Sequence, residues 1–316
     1  MSKPKKISVI TSLYNCENFL QGYFDAVAKI EGKEQIEILL LHNAPKEKEL
    51  VIIAEHLPAL DFVRHIIISE RESLYRTWNR GIQLSEGEYI TVWNVDDVRF
   101  PDSILQQAEA LDKNPQAAIA YGDIWISPQY GVCGTKKSNS PVYNQSTRKE
   151  FLLDYHISCF QMWRKSIHQV IGYYDEQFKC IADFDFQIRA ALHFPFVKIE
   201  EPLGIYLEDQ PFKLSYNGRQ PFEHNVLYLR YGFCKYLNFF LLNETKKHYQ
   251  SKRILIFDEW KNFTEKSPFS QSFKLKGVIY AGFKSIYWLC RQIAKKILGI
   301  ILQKSYFCPQ KFRIDS

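Results

Sequence analysis

The sequence predicts an α/β protein: a doubly wound, mostly parallel sheet with helices on both faces, followed by a helical, basic C-terminal extension. Three observations carry that expectation. Short apolar runs rich in β-branched residues recur through the first half, nearly continuous in apolar character, as strands covered on both faces must be. Amphipathic stretches at helical spacing separate them, and strand–helix alternation of this kind builds a parallel sheet. From about residue 221 onward the pattern turns helical and increasingly basic.

The elements follow in order. Strands are expected at residues 7–11, 36–41, 62–68, 89–93 and 118–121. Phe19, Tyr23, Phe24 and Val27 form one helical stripe between them, and Leu74, Trp78 and Ile82 a second. Ile104, Leu105, Ala108 and Leu111 form a third, which Ser103 opens with Gln106 at capping-box spacing and Asn114-Pro115 stops. The polar, glycine-containing stretch 127–147 reads as a long loop or a hairpin turning at Tyr130-Gly131, and mixed elements follow to about Tyr216. The expected division is a first domain over residues 1–220, with a nucleotide-binding half to about 125 and an acceptor half from 126, and a basic tail over 221–316.

Composition removes several classes. The 316 residues are 46% hydrophobic and 24% charged, ordinary for a folded protein. The net charge of +6 is mild, but residues 266–314 hold ten Lys and Arg and no acidic residue, so the rest of the chain is slightly acidic. Seven scattered cysteines with no Cys-x-x-Cys pair argue against a disulfide framework or a zinc site and fit a reducing cytosol. The N-terminal lysines and the run at 7–10 lack a cleavage pattern and read as a strand, not a signal peptide. No stretch of about eighteen uncharged apolar residues suggests a membrane span. Phosphate-loop, dinucleotide-fingerprint and His-Glu-x-x-His patterns are missing, which weakens kinase-like, dehydrogenase and zinc-hydrolase readings.

Open α/β sheets bind ligands beyond the carboxyl ends of their strands. Ser12, Tyr14 and Asn15 follow the first expected strand, His42 and Asn43 the second, and Asn94, Asp96 and Asp97 the fourth. Adjacent carboxylates repel, so Asp96-Asp97 needs a cation or hydrogen bonds; Mg²⁺ or Mn²⁺ suits such oxygen ligands, and a helix-start motif is the alternative. Asp183 and Asp185 flank Phe184. Asp185 and Arg189 have the spacing of an exposed i,i+4 helix pair worth about 0.3–0.5 kcal/mol, which would leave Asp183 for chemistry.

Six segments in series then carry a resemblance. They are Ser8-Val9-Ile10-Thr11-Ser12-Leu13-Tyr14-Asn15, Arg76-Thr77-Trp78-Asn79-Arg80-Gly81-Ile82, Gly87-Glu88-Tyr89-Ile90, Asn94-Val95-Asp96-Asp97, Gly172-Tyr173-Tyr174-Asp175-Glu176 and Asp183-Phe184-Asp185-Phe186-Gln187-Ile188-Arg189. In order and spacing the chain resembles the family 2 glycosyltransferases of GT-A fold, inverting enzymes that use nucleotide sugars, over about residues 6–210. The resemblance implies that Asp96 and Asp97 hold the divalent ion against the donor diphosphate. It implies Tyr14 stacking on the base with Ser12 beside it, Arg76 on the diphosphate and Asp183 as general base. The neighbouring Asn15, His42, Asn43, Asn79 and Asn94 are assigned with these to the donor site. His42-Asn43 stands where many members have Asp-Asp, Asn94 replaces the first aspartate of the motif, and Ala182 replaces a glutamate. The implied partners are a UDP-, GDP- or dTDP-sugar and a glycan or lipid-linked acceptor of cell-surface polysaccharide synthesis. A nucleotidyltransferase and a silent nucleotide- or glycan-binding module are the alternatives.

In the tail, Ile279, Phe283, Ile286, Cys290, Ile293, Ile297 and Ile300 recur at a/d spacing. A basic amphipathic helix of this kind can lie on an anionic membrane surface or pack on the catalytic domain with its basic face in water. Membrane-surface contact is the expectation, in a cytoplasmic protein peripheral to the inner face; no recognition motif supports nucleic-acid binding.

Overall fold

The computed structural model describes residues 6–140, 142, 157, 159–208 and 218–298. The chain divides into two compact units, Met1–Glu176 with Ala182–Pro211, and Gln177–Ile181 with Phe212–Ser316.

In the first unit, β1 (Ile7–Leu13), β2 (Ile36–Asn43), β3 (Val63–Ile68) and β4 (Tyr89–Val92) form where the apolar runs predict strands. They are followed by β5 (Val98–Arg99), β6 (Ile119–Gly122), β7 (Trp125–Ser127), β8 (Lys136–Lys137), β9 (Met162–Arg164), β10 (Phe196–Ile199) and β11 (Gly204–Leu207). One sheet has seven strands in the order β10-β6-β9-β4-β1-β2-β3. The pairs β1–β2, β1–β4, β2–β3 and β6–β10 are parallel, and β9 is antiparallel to both its neighbours. A smaller sheet runs β5-β11-β7-β8, and its β7–β8 pair is the hairpin expected around Tyr130-Gly131, with Gly131 at φ 70°. Residues 141 and 143–147 of that stretch lie outside the described residues.

The helices of this unit are α1 (Glu17–Val27), α2 (Glu47–His56), α3 (Leu74–Leu84), α4 (Ser103–Lys113), α5 (His168–Ile171) and α6 (Ala182–His193). Strand alternation assigns them to faces. Ile7, Val9 and Leu13 of β1 and Ile36, Ile38 and Leu40 of β2 share a core with Leu20, Tyr23 and Phe24 of α1, Ile53 of α2, and Ile104 and Leu111 of α4. On the opposite face α3 presses close: a Cβ on Gly81 would lie 2.7 Å from Ile10 Cγ2 and 2.9 Å from Leu41 Cδ1. Helices therefore cover both faces, and each fully buried aliphatic side chain contributes about 1.5–3 kcal/mol.

Two local expectations are corrected. The N-cap of α4 is Asp102, not Ser103; Gln106 Nε2 reaches Asp102 Oδ2 at 2.6 Å, while Ser103 Oγ is buried without a partner. The cap lies one residue earlier because Asp102 O accepts the first intrahelical bond, from Gln106 N–H at 3.0 Å. In α3, Tyr75 replaces Leu74 in the buried stripe with Trp78 and Ile82.

The second unit is helical, as the pattern predicts, with α7 (Gln220–Tyr231), α8 (Leu242–His248) and α9 (Gln271–Leu298). It also contains a hairpin unforeseen from the sequence, β12 (Arg253–Ile256) with β13 (Glu259–Asn262), turning through Phe257 and Asp258 at φ 47° and 65°. Two consecutive left-handed residues make a type I′ turn, a geometry that Asn-Gly usually signals. Among the described residues no helix is long and apolar enough to cross a membrane.

Candidate active site

Because β1, β2 and β4 run parallel and adjacent, their carboxyl ends open on one rim. Leu13 pairs with His42, and Trp93 N–H bonds Ile10 O. The structure thus brings Ser12, Tyr14, Asn15, His42, Asn43 and Asn94–Asp97 to the same edge of the sheet, where open α/β folds place ligands.

The aspartates sit in a turn between β4 and β5. Asp97 N–H bonds Asn94 O at 3.1 Å, and Trp93 Nε1 donates to Asp97 O at 2.9 Å. Asp97 is buried, and its carboxylate accepts from Asn94 Nδ2 and from Leu207 N–H, each at 3.2 Å. Asp96 is half-buried. The asparagine at position 94 therefore gives Asp97 a donor where a third carboxylate would repel it. A helix cap is not what these residues form, since α4 starts six residues beyond Asp97.

Three further groups surround this turn that sequence reasoning did not assign. The Arg99 guanidinium is buried, donates to Gln107 Oε1 at 2.8 Å and to Val92 O at 3.1 Å, and lies 4.6 Å from the Phe160 ring. Burial pushes its pKa down to about 10 against the opposing pull of Cys159 and Asp97, so it stays cationic at neutral pH beside the aspartates. Tyr130 of the β7–β8 hairpin and Tyr206 of β11 are the others. Burial first, and then surrounding negative charge that includes Asp97 and Asp96, holds both phenols above their usual range, so both remain O–H donors. Arg99, two residues beyond Asp97, was the one with a local signal.

At the end of β2 the side chains turn inward. His42 is fully buried, with Nδ1 3.1 Å from His65 Nε2 and Nε2 3.2 Å from Glu49 Oε2. Burial raises Glu49, but backbone N–H groups of Cys16 and Lys46, with His42, outweigh it and hold the carboxylate below its usual range. Asn43 donates to Thr77 Oγ1 at 2.9 Å and accepts Glu72 N–H at 3.0 Å, tying β2 to α3. Tyr14, by contrast, is 38% exposed with the Arg71 guanidinium 4.0 Å from its ring centroid, and Asn15 holds a left-handed φ of 50°. Ser12 is half-buried.

Helix α3 starts at Ser73, whose Oγ accepts Arg76 N–H. Arg76 faces Glu72 at 3.4 Å and Glu176 at 3.8 Å. Asn79 is buried and clamps the 174–176 segment: Nδ2 donates to Tyr174 O and Glu176 Oε1 at 2.9 and 2.8 Å, and Oδ1 accepts Tyr174 N–H at 2.9 Å. The same helix supplies Tyr75, whose hydroxyl donates to Asp183 Oδ1 at 3.3 Å. Asp183 begins α6 and is half-buried. The reading of Asp185–Arg189 as an exposed pair is corrected: both side chains are at most 1% exposed, 2.9 Å apart, because that face of α6 packs inward.

Among the described residues no three His, Cys, Asp or Glu side chains gather as a metal cage. Two neighbouring carboxylates on a turn still fit Mg²⁺ or Mn²⁺, which keep several waters and are commonly completed by substrate phosphates.

Fold and rim together define a GT-A-like α/β protein with a polar rim at the carboxyl ends of β1, β2 and β4. The sequence matches the model described as "Glycosyl transferase family 2" over residues 8–172, more than half of the chain, and the protein belongs to that family and is a glycosyltransferase. It is 25% identical over 212 residues to an uncharacterised glycosyltransferase of Methanocaldococcus jannaschii, a match covering 65% of this chain and 71% of the relative. A crystal structure of S. aureus TarS in complex with UDP-GlcNAc aligns with TM-score 0.61 at 13% identity, covering 94% of this chain and 76% of that one. Against a longer TarS chain the match covers 38% of that chain, so this protein corresponds to one part of it. The mannosyltransferase PcManGT of Pyrobaculum calidifontis, in complex with GDP-Man and Mn²⁺, aligns with TM-score 0.52 at 12% identity over 72% of this chain and 65% of that one. At these identities the structural matches establish the fold.

Proposed function

We propose that the protein transfers a sugar, with inversion, from a nucleoside diphosphate sugar to a hydroxyl of a glycan or lipid-linked acceptor, in cytoplasmic synthesis of cell-surface polysaccharide. One observation carries the reading: the Asp96-Asp97 turn lies at the same rim as Ser12, Tyr14 and Asn15, on a fold shared with structures solved with UDP-GlcNAc and with GDP-Man and Mn²⁺. Tyr14 stacks on the base, with Ser12 and Asn15 lining the same pocket. Asp96 and Asp97 would hold Mg²⁺ or Mn²⁺, which when bound supplies positive charge against the leaving diphosphate. Arg76, 28% exposed, adds a second cation for that diphosphate. His42, Asn43, Asn79 and Asn94 act one step back, holding the rim, α3 and Asp97 in place through the bonds described above.

Asp183 takes the acceptor proton. An acceptor hydroxyl must lose it as its oxygen attacks the anomeric carbon, and a carboxylate within hydrogen-bond reach suits the task. Tyr75 donates to one carboxylate oxygen and so fixes the direction of the other. Attack opposite the leaving diphosphate inverts the anomeric centre in a single displacement.

The test offers a panel of UDP-, GDP- and dTDP-sugars with Mg²⁺ or Mn²⁺ and generic acceptors. Nucleoside diphosphate release is expected, with Asp183→Asn retaining donor-induced thermal shift while losing transfer. Pyrophosphate release would mean a nucleotidyltransferase. Donor binding that never turns over, with Asp183→Asn indistinguishable, would mean a silent binding module.

A further inference from the structure

The apolar stripe of α9 points the wrong way for a helix that belongs to a core. Among the residues whose burial is described, Gly277 and Ala281 are buried, on the side that meets the 3-10 turns Cys234–Tyr236 and Phe239–Leu241. Contact there is close: a Cβ on Gly277 would lie 2.7 Å from Lys235 N. Ile279, Phe283, Ile286, Cys290 and Ile293 lie on the opposite side, with Phe283 70% and Ile286 60% exposed, and Leu275 extends the stripe at 63%. The alternative of a helix with its apolar face packed and its basic face in water is thereby reversed within this unit. Ile300 and the side chain of Ile297 lie outside what is described.

A second observation lies a quarter turn away. A groove of about 590 Å³ is lined by Lys235, Tyr236, Phe273, Lys276, Tyr280 and Lys284, with no carboxylate among its lining residues. Lys235 Nζ stands 4.7 Å over the Tyr236 ring. Tyr280 and Tyr287 border the stripe on the groove side, 56% and 69% exposed. Apolar residues bordered on one side by a band of tyrosines and lysines match a helix with acyl chains under one face and interface and headgroups beside it.

We propose that α9 seats the protein on an anionic lipid bilayer, with the Ile279–Phe283–Ile286 face among the acyl chains and the Lys235–Lys276–Lys284 groove at the headgroup phosphates. Charge selects this occupant. A second copy would set the cations of one α9 against those of another, since the helix has no acidic residue to pair with them. The chain's own residues 299–316 add Lys304, Lys311 and Arg313 against a single acid, Asp315, and cannot neutralise the groove. Among the described residues no helix is long and apolar enough to cross the bilayer, so the proposed seat is along its surface. The inference is independent of how the catalytic rim is read.

The experiment is co-sedimentation of the full chain with vesicles of phosphatidylcholine alone and of equal parts phosphatidylcholine and phosphatidylglycerol. Binding to the mixed vesicles is expected, weakened by salt, and at least about tenfold stronger than to the neutral ones. Each lysine near the surface contributes about fivefold, so the triple variant Lys235→Gln, Lys276→Gln, Lys284→Gln loses roughly 100-fold in partitioning. Ile279→Ser with Phe283→Ser and Ile286→Ser loses binding to both vesicles. Five of the six positions are exposed and Lys235 is half-buried with its ammonium over the Tyr236 ring, so circular dichroism and thermal melting stay close to the parent. A parent that stays in the supernatant, or lysine and stripe variants that sediment like it, would overturn the proposal. So would a lipid-free dimer that the stripe variant dissolves while vesicles bind neither.

Discussion

Replacing Arg189 with Met tests whether the α6 ion pair belongs to the core. The side chain makes three bonds: Nε to Asp185 Oδ2 at 2.9 Å, Nη2 to Tyr173 O at 2.8 Å, and Nη1 to Ile171 O. The last two span Gly172, whose left-handed φ of 72° turns the chain into the Tyr174–Glu176 segment that Asn79 clamps. Met keeps the length and removes the charge. Stripping a buried carboxylate of its cation costs about 3–5 kcal/mol, and each carbonyl left without its donor about 1 kcal/mol more. The expected loss is therefore about 5–7 kcal/mol, a large share of a typical folding free energy of about 5–15 kcal/mol. The double variant Arg189→Met with Asp185→Leu removes both charges and should recover most of the ion-pair part, leaving a loss of about 2 kcal/mol. Urea unfolding followed by tryptophan fluorescence, read at constant m, gives both numbers. A single-variant loss under about 1 kcal/mol, the range of an exposed i,i+4 pair, would refute the reasoning, as would a double variant no more stable than the single.

Acid should weaken the first unit through His168. Its Nδ1–H donates to Gly172 O at 2.9 Å and its Nε2 accepts Trp163 Nε1–H at 2.9 Å, so the neutral ring is the bonded form; burial pushes its pKa down to about 4. A depressed folded pKa contributes stability that is present above the unfolded value near 6.5 and lost as pH falls toward 4. That amounts to about 3 kcal/mol, read by urea midpoints across this window, and a His168→Gln variant with the same pH slope would contradict it. Asn79→Ala removes three bonds to Tyr174 and Glu176 and should cost about 2–3 kcal/mol in melting experiments while raising the donor KM more than it lowers kcat. An unchanged KM would show that the clamp does not hold the donor rim. Tyr14→Ala, at an exposed site, should leave unfolding within about 0.5 kcal/mol of the parent and weaken donor binding by about 1–3 kcal/mol, measured by calorimetry; undiminished affinity would remove Tyr14 from the base pocket.

The chain itself carried the local terms. β1 to β4 form from the apolar runs that announce them, and the polar clusters after β1, β2 and β4 fall on one rim, because sheet periodicity and strand-end polarity are properties of a few consecutive residues. Folding in space decided the rest. β9 enters the sheet between β4 and β6 from a distant stretch, and β12–β13 turns through Phe-Asp instead of a glycine pair. Spacing gave Asp185–Arg189 and the α9 stripe, but not which side of each helix the fold covers: it buried the first and left the second in the open. Nor could one sequence show Tyr75 reaching Asp183, Arg99 lying behind Asp97, or His42 turned between Glu49 and His65. Periodicity states that a face exists; only the packing of distant segments states what lies against it, and the electrostatics of a buried group follow from that neighbour.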